Sequence, residues 1–212
     1  MTQPQGNAVT VFVHGLWMNG FELTWLRRQV EKAGFPTAQF EYRTVKRSVD
    51  ENAELLHDFI IQQAAESINI VGYSLGGLVT LRLFDLFDDI PPGRVVLMGS
   101  PVRGSKAAQR IHDMGWDDML LGRSGLHRDR ELKWDSRREL GIIAGTRSLG
   151  LGSLFHRLPT PNDGTVAAAE TELPGANDRL HLPVTHASMM FSPKVASAVT
   201  DFLHDGRFAD NY

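Results

Sequence analysis

The sequence predicts an α/β fold, a doubly wound and mostly parallel sheet with helices on both faces. Two observations carry that expectation. Short β-branched runs alternate with longer amphipathic ones along nearly the whole chain, the pattern of strands each followed by a helix. The 212 residues also show no internal repeat, low-complexity tract or linker. They read as one domain, 1–212, long enough to bury a sizeable core.

Taken in order, Ala8–Val13 is an apolar run of strand length, too short to stand as a helix. Within Phe21–Ala33, the residues Phe21, Trp25, Leu26 and Val30 fall on one helical face, and Gly34 is a stop signal. Thr37–Tyr42 reads as a second strand. Ser48-Val-Asp-Glu51 has capping-box spacing and opens a helix expected to bury Leu55, Leu56, Phe59 and Ile60. Ile68–Gly72 is the next strand, Leu75–Phe87 a strongly apolar helix, and Arg94–Met98 a further strand. Leu140–Ala144 and Arg179–Leu182 are weaker strand patterns. Ser192-Pro193 forms an N-cap and first-turn pair for a last helix through Leu203.

Composition excludes several classes. A formal charge of -3, with no long block of like charge, gives no electrostatic case for a nucleic-acid partner. With no cysteine there is no disulfide, thiolate metal site or cysteine nucleophile. The polar start of the chain lacks the pattern of a signal peptide, and no apolar stretch would cross a bilayer. A cytoplasmic protein with no stable membrane anchor is the expectation; oligomeric state is left open.

The strongest motif is Gly72-Tyr73-Ser74-Leu75-Gly76-Gly77. G-x-S-x-G is common by chance, and its context gives it weight: an apolar strand enters and an apolar helix leaves. A sharp strand-to-helix turn strains the middle residue and exposes its side chain above the sheet edge. Ser74 is therefore the candidate nucleophile. The helix beginning at Leu75 points its free N–H groups and positive dipole end at the site. The N–H of Leu75 is the first expected oxyanion donor, and that of Leu16, in Val13-His14-Gly15-Leu16-Trp17, the second. His14 itself reads as structural.

This pair of motifs, in this order, resembles the α/β-hydrolase superfamily, and within it the compact bacterial lipases and esterases and the inositol-deacylase-like lipases. Gly99-Ser-Pro-Val-Arg-Gly-Ser105 is similar to a lipase stretch reading Gly-Thr-Pro-His-x-Gly-Ser, with Val102 where histidine is usual. The resemblance implies the chain order Ser, Asp, His, with the base after the last strand and the acid after the penultimate one. Of eight histidines, His186 in Thr185-His-Ala-Ser-Met-Met190 occupies that place. His181 is the nearest rival but lies within an expected strand; His57, His112, His127, His156 and His204 carry no motif. For the acid, Asp163 in Pro161-Asn-Asp-Gly-Thr-Val166 fits, although Asp-Gly is also an ordinary turn; Asp178 is the alternative.

Trp17 and Met18 after the first strand, and Met189 and Met190 after the base, are candidates to line an acyl pocket; core packing is the competing reading. Residues 106–138 fall between what the resemblance makes the sixth and seventh strands, where that superfamily often places a small cap; an amphipathic lid and a helix packed only against its own domain would read alike there. Met114, Trp116, Met119, Leu120 and Leu121 give that segment a short apolar cluster among mixed charges. The expected activity is hydrolysis of a small-molecule or lipid carboxylic ester through an acyl-enzyme, with no metal or organic cofactor. A thioesterase or acyltransferase with the same triad, or a non-catalytic binding protein of the same fold, are the alternatives.

Overall fold

In the computed structural model, residues 7–113, 122–124, 134, 137–149, 158–210 and 212 are described. Their strands are β1 (Ala8–Val13), β2 (Thr37–Phe40), β3 (Ser67–Tyr73), β4 (Val95–Met98), β5 (Leu140–Gly145) and β6 (Asp178–Leu182). They form one sheet in the order β2-β1-β3-β4-β5-β6, parallel at every pairing. The helices are α1 (Thr24–Lys32), α2 (Val49–Gln62), α3 (Leu75–Leu86), α4 (Lys106–Asp113) and α5 (Pro193–Asp205).

Strand residues alternate between two cores, as the period of two requires. Val11 and Val13 of β1 pack with Ala53, Leu56 and Ile60 of α2 and Val79 and Leu83 of α3. Phe12, between them, joins Leu26 and Val30 of α1 and Val195, Val199 and Phe202 of α5 on the opposite face. With both faces covered, the inner strands are almost wholly apolar, Thr10 of β1 and Ser67 and Asn69 of β3 being the polar exceptions. The strand order reverses at β1: the chain leaves β1 for a helix on one face and leaves β3 for a helix on the other. The C-terminal ends of β1 and β3 thus flank a crevice, the place where open α/β sheets hold their sites.

Local signals set the helix ends. Ser48 Oγ accepts from Glu51 N–H at 3.2 Å while Glu51 Oε2 accepts from Ser48 N–H at 2.7 Å, closing the capping box of α2. Ser192 Oγ accepts from Val195 N–H at 3.4 Å, and Pro193 occupies the first turn of α5. One expectation is corrected. The helix from Phe21 begins as a 3-10 turn, Phe21–Leu23, entered through Gly20 at φ 96°. That tighter turn rotates Phe21 off the buried stripe. Leu23 takes its place with Leu26 and Val30, and Phe21 is 81% exposed.

Residues 106–138 lie between the fourth and fifth strands in this chain's own count, since no strand precedes Ala8 among the described residues. Met114, Trp116, Met119, Leu120 and Leu121 lie outside the described residues. The described parts are tied down. Lys106 N–H, at the start of α4, donates to Glu170 Oε1 at 2.8 Å. The 3-10 turn Gly122–Ser124 lies on the loop after β2, Arg123 N–H donating to Val45 O at 2.9 Å. Trp134 is buried edge-on against Phe84 of α3, its backbone N–H donating to Pro174 O at 3.1 Å and its indole N–H to Arg138 O at 2.8 Å.

Candidate active site

Ser74 ends β3 and begins α3 with φ 53° and ψ -120°, a conformation that side chains other than glycine rarely adopt. The strain persists because the surroundings leave no alternative. A Cβ on Gly76 would stand 2.1 Å from Val13 O, and one on Gly72 would stand 2.9 Å from the Gly77 Cα. Only glycine at both positions lets helix and strands close around the turn.

Three residues from three loops meet there. His186 Nε2 is 3.1 Å from Ser74 Oγ, and His186 Nδ1 is 2.7 Å from Asp163 Oδ2. A carboxylate only accepts, so the proton between them belongs to Nδ1, which leaves Nε2 as the acceptor facing the serine. Asp163 is 1% exposed, and its other oxygen accepts from the N–H groups of Thr165 at 2.9 Å and Val166 at 2.7 Å. Its backbone carbonyl accepts from His186 N–H at 2.8 Å, so acid and base are joined twice. The rivals lie elsewhere. His181 is an exposed residue of β6, and Asp178 at the other end of that strand accepts from Phe208 N–H at 2.7 Å. His127 and His156 lie outside the described residues.

Leu75 N–H opens α3, where no carbonyl of the helix can reach it. In the loop after β1, Trp17 N–H is held by Thr44 Oγ1 at 3.1 Å and Met18 N–H by Gly15 O at 3.4 Å. His14, fully buried, lies behind this loop. Its Nδ1 is 3.0 Å from Gly15 O, its Nε2 is 3.4 Å from Tyr42 N, and its ring stacks on Tyr42 at 4.3 Å. The carbonyl requires the proton on Nδ1 and the amide requires a bare Nε2, which fixes a neutral ring. Burial, which lowers its pKa, favours the same form. Glu170 is a second residue that no sequence motif identifies. Its Oε1 receives Lys106 N–H and its Oε2 receives Ala167 N–H, each at 2.8 Å. It thereby staples the loop bearing Asp163 to the start of α4.

The four pocket candidates separate. Met189 and Met190 are buried in the core between the sheet, α1 and α5. They reach that core because the 3-10 turn Ala187–Phe191 lies against α1. Met18 is half-buried against the same cluster. Trp17 alone of the four is exposed, at 52%, on the loop after β1, and is held at φ 60°. A cavity of about 1140 Å³ opens at the opposite ends of the strands, between Ser67, Asn69 and Arg94. It shares no residue with the Ser74 cluster and lies at the wrong strand ends for this topology. Among the described residues no group of three His, Cys, Asp or Glu is arranged to hold a metal ion, and no helix is long and apolar enough to cross a membrane.

No family model matches the sequence, and no curated protein sequence matches it. Solved structures do match in three dimensions. The mature form of a Bacillus licheniformis lipase, BlEst2, is similar with a TM-score of 0.71 at 19% identity, covering 96% of this chain and 93% of that one. A metagenomic carboxyl esterase, MGS0156, follows at TM-score 0.66 and 18% identity, over 85% of this chain and 65% of the other. A bromoperoxidase from Bacillus anthracis is similar at TM-score 0.61 and 15% identity, over 94% and 92%. Identities this low speak for architecture and not for reaction. With its parallel sheet, its strand-to-helix elbow and these neighbours, the chain has the α/β-hydrolase fold.

Proposed function

We propose that this protein is a serine hydrolase that cleaves carboxylic esters through an acyl-enzyme. The observation that carries the reading is the hydrogen-bonded line from Asp163 through His186 to Ser74, set on a strained elbow at the helix N-terminus. Ser74 Oγ attacks the ester carbonyl while His186 Nε2 takes its proton. Asp163 holds the Nδ1 proton in place and offsets the charge of the imidazolium as it forms. The N–H groups of Leu16 and Leu75 receive the oxygen that becomes negative in the tetrahedral intermediate. His186 then gives its proton to the leaving alcohol. It next activates a water that attacks the acyl-enzyme, releasing the acid and restoring Ser74. Trp17, exposed on the loop after β1, contacts the acyl or alcohol group. That two structural neighbours are a lipase and a carboxyl esterase supports an ester as substrate.

A fluorophosphonate probe tests the reading. The wild type should be labelled at Ser74, and Ser74→Ala should lose both the label and turnover of p-nitrophenyl esters by a factor of about 10⁴–10⁶ while staying folded. Thioesters run beside the oxygen esters separate the leaving groups. A Ser74→Ala protein with full activity would sink the mechanism.

A further inference from the structure

Tyr73 ends β3 directly before Ser74 and is 3% exposed. Its hydroxyl donates to the His186 backbone carbonyl at 2.9 Å, and its ring lies 5.0 Å from the imidazole, tilted by 34°. His186 itself belongs to the loop between β6 and the 3-10 turn Ala187–Phe191. Such loops drift unless something rigid holds them. Asp163 holds His186 from one side, through the backbone N–H and through Nδ1. On the other side the backbone carbonyl is held by the Tyr73 hydroxyl.

We infer that Tyr73 is a positioning residue for the base, its hydroxyl and ring locking His186 over Ser74, an inference that rests on the reading of His186 as general base. The strand end that sets Ser74 Oγ then also sets the imidazole, so nucleophile and base share one rigid reference. Misplacement by an ångström is costly at this step, because proton transfer needs the two atoms within hydrogen-bond reach. The hydroxyl keeps its proton: burial and the negative charge of Asp163 push its pKa upward, so it stays a donor. If the residue served only to fill the core, phenylalanine would do as well.

Tyr73→Phe keeps the ring and removes the donor. The expected result is a fall in kcat of about tenfold on an activated ester, with KM within about twofold, since a misplaced base slows chemistry without weakening binding. A second readout does not depend on turnover. The proton shared by His186 Nδ1 and Asp163 should give a low-field NMR signal, assigned by its loss in His186→Ala, that broadens or shifts in Tyr73→Phe. An unchanged signal together with an unchanged kcat overturns the inference. So does a drop in Tm with kcat intact, which would leave the hydroxyl a purely stabilising role. If the wild type turns over no ester, the hydrolase reading fails, and the NMR comparison alone decides the role of Tyr73.

Discussion

His14 acts on one peptide unit. Its Nδ1–H donates to Gly15 O, and the Leu16 N–H belongs to that same planar amide. A trans amide points its C=O and N–H in opposite directions, so pinning one aims the other. His14→Phe should therefore leave the loop packed but let this amide turn. If Leu16 is an oxyanion donor, kcat should fall by about 10²-fold with KM little changed, the usual scale for losing one such donor. Steady-state kinetics on one soluble ester decide it, and an unaltered kcat would remove Leu16 from the proposal. The sequence marks His14 only as a histidine beside a glycine, and a structural reading followed. Its positioning role depends on where its two ring nitrogens lie relative to Gly15 and Tyr42, and no spacing encodes that. That Ser74, His186 and Asp163 meet could, by contrast, be expected from the elbow motif, the Asp-Gly turn and the chain order that the family resemblance implies; their catalytic roles are the proposal made above.

At the scale of elements, strand positions were readable to within a residue or two because inner parallel strands must be apolar on both faces. Phe21 was misplaced because helix periodicity does not show where a 3-10 turn precedes the α-helix. The Glu170 staple was invisible for a different reason. Its partners are backbone N–H groups, one of them 64 residues away, and a main-chain donor carries no residue signature. Nearer by, Ala167 and Glu170 have capping-box spacing, but alanine has no oxygen to return the bond, so only half the box forms. The staple has a pH signature. Burial, the larger cause, together with the nearby Asp163 charge, raises the Glu170 pKa above its ordinary range. The folded state thus binds this proton more tightly than the unfolded one. The stability it contributes is present below the unfolded pKa and is lost as pH rises through the raised value. Glu170→Gln loses one good acceptor at every pH but has no charge to bury. Relative to wild type its stability should improve as pH climbs from about 4 to 7. Urea unfolding of both proteins across that range checks it; a difference that stays constant with pH would show that Glu170 ionises as freely folded as unfolded.

On the scale of the whole molecule, the question is whether residues 106–138 open. A lid that swings away from Ser74 must release the segment's described anchors, which lie on separate parts of the fold. Lys106 is held by Glu170 at its start, Arg123 by Val45 beyond β2, and Trp134 by Pro174 and Phe84 at its end. The ion pair between Arg123 and Glu51 adds little, because both side chains face solvent. Trp134 matters most. Removing a buried tryptophan from its packing costs about 3–5 kcal/mol. A form with Trp134 undocked would then be populated at roughly one part in 10³ unless a lipid surface repaid that cost. Lipid surfaces reward a contiguous apolar face, and the densest apolar stretch of this segment, Met114 to Leu121, is short and broken by Asp117 and Asp118. We therefore propose that the described anchors at Lys106, Arg123 and Trp134 stay docked during turnover, beside a site open near Trp17. Rates on a short and a long p-nitrophenyl ester should follow simple saturation, with no rise as the long ester passes its solubility limit, and should favour the short chain. The measurement is initial rate against concentration across that limit, with and without micelles of the long ester. A jump at the limit would mean that the anchors around Trp134 yield at an interface, and the segment would then be a lid.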